Sequence, residues 1–330
     1  MKSDKIKIGV IGVGHLGQHH AKHYNLIKNI TLVGVYDTDP NRSKDIAIQY
    51  DTKSYDNISE LMEICDGISV VTPTESHYNV AKMAIKDFDC HVFIEKPITE
   101  TIKQADHLIQ ISKIKNKIIQ VGHIERLNPA LRVLENYNLN PKFIEIQRLA
   151  PYTIRGTDVP VVLDLMIHDI DILLSLVKSD VKSIHASGVS IITDSIDIAN
   201  ARIRFNNGTV SNITSSRVAR DKVRKIKIFQ DNLYTTVDLL MEQTEIYSIT
   251  KDPSIIPGVL QTEPFTYNNN EKFIAYQKPD LKKNDLLELE LKNFIDSIKG
   301  KDNPIVNGID ARNALDVVIK INDMILEDLN

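Results

Sequence analysis

Cysteine is scarce: the 330-residue chain has two, Cys65 and Cys90. Both lie in apolar stretches without a partner at metal-binding spacing, so they read as small buried hydrophobes rather than a disulfide or a nucleophile. That usage suits a reducing compartment. Long apolar runs are missing too, and none reaches the ~18 residues of a membrane span. Neither sign of charge dominates. The 40 Lys and Arg face 44 Asp and Glu, a net charge of −4 with the signs mixed. This excludes a basic stripe for nucleic acid and a polybasic membrane anchor. A charge run such as KIKNK (113–117) reads as a solvated helix end. There is no internal repeat and no low-complexity tract. The opening MKSDKIKIGV enters a strand pattern at once and leaves no room for a signal peptide. The expectation is a cytoplasmic protein with neither a nucleic-acid nor a membrane partner.

With 42% apolar and 25% charged residues, the composition is that of an ordinary globular protein. The length exceeds what one hydrophobic core organises, so two domains are expected. Over residues 1–123, short β-branched runs (KIKIGVIGV, ITLVGVYD, GISVVT, HVFIEK, KIIQVGH) alternate with segments of helical period, such as SHYNVAKMAIKD. That alternation predicts an α/β domain, a doubly wound parallel sheet covered by helices on both faces. From residue 124 the rhythm changes. Helical residues surround one strand, KFIEIQRLA, and longer alternating strands follow to about 250. Residues 124–330 are thus expected to form a second α/β domain with a large, mostly antiparallel, open sheet. In FNNGTV, Asn207-Gly208 supplies the positive φ angles of a tight hairpin. Residues 252–284, with four prolines and NNNEK, read as an irregular excursion before helices return.

Gly12-Val13-Gly14-His15-Leu16-Gly17 is a complete G-x-G-x-x-G between a strand and a helix. The first glycine makes the tight turn, the second lets backbone approach a pyrophosphate, and the third allows helix and strand to pack closely. The helix N-terminus then offers its N–H groups and dipole to the phosphates. Asp37 ends the second strand, where a carboxylate binds ribose hydroxyls and repels a 2′-phosphate. The pattern favours NAD over NADP, with Arg42 as the nearby group that can accommodate a 2′-phosphate. A competing reading takes the loop's neighbours His15, His19, His20 and His23 as metal ligands. His19 and His23 make at most a two-ligand pair, with no carboxylate or thiolate at suitable spacing to complete it, so no metal is expected.

Two further segments carry chemistry. Glu95-Lys96-Pro97 ends the run HVFI, so Lys96 lies at the carboxyl end of a parallel strand, facing the ligand crevice, with Pro97 restricting its backbone. The alternative is a surface lysine after a strand. In DLMIHDIDILLSL, Asp164, His168, Asp171 and Ser175 fall at i, i+4, i+7 and i+11, one polar stripe on an apolar helix that only Asp169 breaks. Buried polar groups must pair with each other or with a ligand. The stripe is therefore either a satisfied His–Asp pair or a site in which a carboxylate tunes an imidazole.

Together the segments GVGHLGQHHA, VGVYD, VVTPTESHYNVA, EKPIT and DLMIHDID, in this order and spacing, resemble the Gfo/Idh/MocA family of NAD(P)-dependent sugar and polyol oxidoreductases. The resemblance implies a Rossmann domain followed by an α/β domain whose open sheet often forms the oligomer interface, hence a homodimer or homotetramer. It implies that Lys96, Asp164 and His168 meet at the nicotinamide. Thr72, Pro73 and His77 match the segment lining the cofactor, with Glu95 beside it. VGHIERLNPAL and RLAPYTIRGTDVPVVLDLMIHDID are similar to the subgroup acting on UDP-N-acetylglucosamine, whose members oxidise the sugar 3-hydroxyl. Arg126, Arg148, Arg155 and Arg217 lie near the family's substrate segments and suit a diphosphate, or are ordinary surface and interface charges.

The expected chemistry is oxidation of a sugar or nucleotide-sugar hydroxyl with NAD. His168 acts as general base, Lys96 stabilises the alkoxide, and Asp164 orients a substrate hydroxyl. The rival readings are an inositol or free-sugar dehydrogenase, an NAD-dependent glycosidase, and a non-catalytic NAD sensor.

Overall fold

The computed structural model describes residues 5–153 and 159–329. Two units emerge. One holds the chain up to Ile124 together with Asp285–Leu315; the other holds Glu125–Asn284 and the stretch from Asp316.

In the first unit, strands β1 (Ile6–Ile11), β2 (Ile30–Tyr36), β3 (Gly67–Val70), β4 (His91–Glu95) and β5 (Ile119–Gly122) form a parallel sheet. Its order is β2-β1-β3-β4-β5. Between them run helices α1 (Gly17–Leu26), α2 (Pro40–Gln49), α3 (Ile58–Met62), α4 (Thr74–Lys86) and α5 (Ile102–Lys115). The continuous apolar character of the strands is explained by burial: β3 and β5 are buried at every position. The strand order reverses at β1, between β2 and β3, and in such sheets the crevice beyond the strands' carboxyl ends at that point takes the ligand.

The division departs from two consecutive blocks, 1–123 and 124–330, because the chain returns. Helix α8 (Leu286–Ile298) places Leu291, Phe294 and Ile295 in one core with Ile8, Val10 and Phe93. Gln120 Nε2 also donates to the Glu290 carbonyl at 3.0 Å. Both cysteines are buried and free, and burial pushes the Cys90 thiol up to about 12, which suppresses the thiolate.

The second unit is built on nine strands: β6 (Phe143–Leu149), β7 (Val181–Val189), β8 (Ile198–Phe205), β9 (Val210–Ser216), β10 (Val223–Gln230), β11 (Leu233–Asp238), β12 (Gln243–Thr250), β13 (Val259–Tyr267) and β14 (Asn270–Gln277). Their order is β13-β14-β12-β11-β10-β6-β9-β8-β7, antiparallel except for the β6–β9 pair. Helices α6 (Pro129–Arg132), α7 (Ile167–Val177) and the later part of α9 (Gly308–Leu329) accompany it. One sheet face is buried, as in Ile144 and Ile146 of β6. The other carries a cross-strand ladder of rings, Phe143, Phe229, Tyr234, Tyr247 and Tyr276, with neighbouring centroids 4.8 to 5.8 Å apart.

Two local expectations need correction. The excursion at 252–284 contains the β13–β14 hairpin, closed by Asn268 and Asn269, both at positive φ. Its period-2 pattern is invisible because β13 is largely exposed on both faces. A hairpin does join β8 to β9, but only Gly208 of Asn207-Gly208 takes a positive φ, and the loop spans 206–209.

Candidate active site

The first unit shapes a glycine loop between β1 and α1. Gly12 turns the chain at φ +83°, and a Cβ there would lie 2.6 Å from the Val71 carbonyl oxygen. A Cβ on Gly17 would fall 1.8 Å from the Gly12 carbonyl, so this position must be bare for α1 to start against the loop. Around Gly14 a Cβ would meet nothing within 4 Å, which leaves bare backbone facing open space. Helix α1 begins at Leu16 with no side-chain cap, whereas α2, α5 and α8 begin on Asp39, Thr101 and Asp285 caps. Helix α4 likewise starts uncapped, after Pro73. Uncapped N–H groups at the positive end of a helix dipole suit an anion. The loop therefore fits the diphosphate of a dinucleotide.

A cavity of about 680 Å³ opens beside this loop, lined by Gly14, His15 and Gln18 on one side and Asp39, Asn41, Arg42 and Asp45 on the other. Leu16 of the loop is exposed. Asp37, just past β2, accepts from Val13 N at 2.8 Å, Asp39 N at 2.9 Å and Arg42 Nη1 at 3.0 Å. It thereby ties the end of β2 to the glycine loop. Arg42 also pairs with Asp39 at 3.4 Å, so its charge is shared between two carboxylates. Gln18, Asn41 and Asp45 were not legible as site residues, because polar residues on exposed helix starts look like any solvated surface.

Among the described residues, no group of three or more His, Cys, Asp and Glu side chains is arranged to hold a metal ion. His15 and His19 make an edge-on ring contact, and His23 pairs with Asp285 at 3.5 Å.

Two turns follow β3 and β4. His77 on α4 is buried, with Nε2 2.9 Å from the Thr72 carbonyl and Nδ1 2.8 Å from the Pro97 carbonyl. It braces the Thr72-Pro73 turn against the Lys96-Pro97 turn. Burial lowers its pKa, with the two carbonyls pulling the other way. Ser76 Oγ donates to Thr72 Oγ1 at 2.6 Å. Lys96 follows the end of β4, half-buried, and its backbone N–H donates to Glu95 Oε2 at 3.3 Å.

In the second unit, the stretch expected to be one regular helix begins as a π-helix, Val162–Met166, and becomes α-helical as α7. Asp164 lies in the π turn and His168 just beyond it. Both are half-buried among Val161, Val162, Met166 and Ile167, which are fully buried. Wide turns of this kind recur at functional sites. The expected single stripe does not survive. Asp171 is buried and takes Arg126 Nε and Nη2 at 2.7 and 3.0 Å. Ser175 Oγ donates back to the Ile172 carbonyl of its own helix.

Asp169, the residue that broke the stripe, is buried. Arg148 on β6 reaches it with Nε and Nη2, both at 2.9 Å, and gives Nη1 to Glu125 at 3.2 Å. Burial opposes the Arg148 charge, but these two carboxylates outweigh it and raise its pKa. With all three nitrogens engaged and the residue 3% exposed, Arg148 is a structural clamp between β6 and α7 rather than a diphosphate contact. Arg217 is buried too, donating to the Val159 carbonyl with Asp197 3.8 Å away. Arg155 lies outside the described residues.

Comparison with known proteins agrees with this geometry. A family model described as an oxidoreductase family with an NAD-binding Rossmann fold matches residues 6–123, and the corresponding GFO/IDH/MocA C-terminal domain model matches residues 148–232. UDP-N-acetylglucosamine 3-dehydrogenase of Acidithiobacillus ferrooxidans is 33% identical over 317 residues, 96% of each chain. A solved structure of that enzyme superposes with a TM-score of 0.88, covering 99% of both chains at 32% identity. Myo-inositol 2-dehydrogenase of Thermotoga maritima is 27% identical, covering 94% of this chain and 93% of its own.

Proposed function

This chain belongs to the Gfo/Idh/MocA family of oxidoreductases, and from that premise we propose that it oxidises the 3-hydroxyl of UDP-N-acetylglucosamine. The observation that carries the reading is the near full-length likeness to an enzyme of that name, 33% identical across 96% of both chains. Support comes from the half-buried Asp164 and His168 on an otherwise apolar wall, and from Lys96 at the carboxyl end of β4.

In this reading a nicotinamide dinucleotide held by the glycine loop and Asp37 would supply the hydride acceptor for the sugar carbon. His168 takes the hydroxyl proton, help typically worth ~10²- to 10⁴-fold. Lys96 places positive charge where the alkoxide grows. Asp164 orients a substrate hydroxyl and supports the charged imidazole. Thr72, Pro73, His77 and Glu95 line the cofactor side. Arg126, Arg155 and Arg217 are the proposed diphosphate contacts, with Arg148 withdrawn. NAD is preferred over NADP, because Asp39 and Asp45 line the cleft while Arg42 is already shared between Asp37 and Asp39. The outward sheet face with its aromatic ladder is the proposed homodimer or homotetramer contact.

The test is a screen for NADH formation with UDP-N-acetylglucosamine, other UDP-sugars, inositols and free hexoses, with 2-oxoglutarate added to recycle tightly held NADH. Turnover confined to UDP-N-acetylglucosamine supports the reading. Preference for an inositol, for which the Thermotoga relative speaks, would replace it.

A further inference from the structure

Behind the glycine loop a buried polar chain runs to Glu95. His20 sits on α1, three residues past Gly17, and is fully buried. Its Nε2 is 3.0 Å from Glu95 Oε1 at the end of β4, and its Nδ1 is 3.4 Å from Ser69 Oγ on β3. Ser69 Oγ is in turn 2.8 Å from the hydroxyl of Tyr24, one turn further along α1. Burial alone would raise the Glu95 pKa, but the His20 hydrogen bond, together with Lys96, holds it below the usual carboxylate range. A carboxylate only accepts, so the hydrogens run one way. With the imidazole neutral, Tyr24 O–H donates to Ser69, Ser69 O–H to His20 Nδ1, and His20 Nε2–H to Glu95 Oε1. The other carboxylate oxygen accepts the Lys96 backbone N–H at 3.3 Å. Space is reserved for this arrangement. Gly122 lies opposite Glu95 in the parallel register, and a Cβ there would sit 2.9 Å from Glu95 Oε2.

We infer that His20 is a positioning residue for Lys96: it fixes the Glu95 carboxylate, and Glu95 fixes the backbone from which the lysine side chain is aimed. The inference rests on the proposed role of Lys96 at the developing alkoxide. Because His20 rides on the helix that the glycine loop opens, the chain also ties the cofactor loop to the Lys96 turn within one unit.

His20→Ala and His20→Gln provide the test, assayed with UDP-N-acetylglucosamine and NAD, with NADH binding followed by fluorescence. Misaiming a reacting group by about 1 Å can cost ~10²-fold, so His20→Ala is expected to lower kcat by about 10- to 100-fold while KM and NADH affinity stay nearly unchanged. His20→Gln, whose amide N–H can still donate to Glu95, should recover most of that loss. Full turnover in His20→Ala, a loss matched by lost NADH binding, or a His20→Gln variant as impaired as His20→Ala would each overturn the inference. If the wild-type chain oxidises none of the sugars screened, the proposed function fails, and the His20 chain is judged by ring-nitrogen NMR. A slowly exchanging Nε2–H on His20 supports it, and a ring protonated on Nδ1 alone overturns it.

Discussion

The two units solve the same problem, holding polar groups inside an apolar frame, by different means. In the first, Tyr24, Ser69 and His20 pass hydrogen bonds along a chain to one carboxylate, Glu95. In the second, full charges face each other: Arg148 against Asp169 and Glu125, and Arg126 against Asp171. A chain of donors ending on one anion needs few countercharges. A buried ion pair needs both partners, because removing one leaves an uncompensated charge. The difference also locates the cost of mutation. Changes along the first network should be read mainly in turnover, and changes in the second mainly in stability.

The largest expected effect breaks the second network. Arg148→Met strands Asp169, while Glu125 keeps Arg224 at 2.9 Å, and should cost about 3–5 kcal/mol in urea or thermal unfolding. The pair Arg148→Met with Asp169→Leu should be restored in part; no recovery would show that the stranded Asp169 charge is not what costs the stability. Next comes Lys96→Ala, where loss of alkoxide stabilisation should lower kcat about 10²- to 10³-fold with stability unchanged. An unfolded variant would erase the contrast between the units. Smaller again, Asp37→Ala should weaken NAD more than NADP, read from the ratio of their affinities. An unchanged ratio would reduce Asp37 to its tie with Val13.

The smallest effect is in pH. Asp197 is buried, which alone would raise its pKa, but N–H groups of Thr193, Ile192 and Ile191 bring it down from 3.8 to about 2. A folded pKa below the unfolded one stabilises above pH 3.8, and that contribution disappears as the pH falls through about 2. Acid unfolding of Asp197→Asn should lack this component, and identical acid transitions would refute it.

What the sequence displayed follows from what is local. The glycine loop, the five strands of the first sheet and the position of Lys96 at a strand end are set by neighbours in the chain, and period and turn chemistry report them. The pairing of Asp169 is not legible because its partner Arg148 sits 21 residues earlier on a strand. The partner of His20 is hidden for the same reason: Glu95 is 75 positions away. The β13–β14 hairpin gives no alternation where both faces meet solvent, although Asn268-Asn269 is the kind of dipeptide that a primed turn favours. Nothing in the amphipathic pattern of α8 says which core it joins, so its return to the first unit is a tertiary fact.

The central claim, that the first unit binds the dinucleotide while His168 in the second handles the proton, is tested most directly by His168→Ala. NADH binding should match the wild type while NADH formation from UDP-N-acetylglucosamine falls ~10²- to 10⁴-fold. Full turnover in that variant would contradict the account.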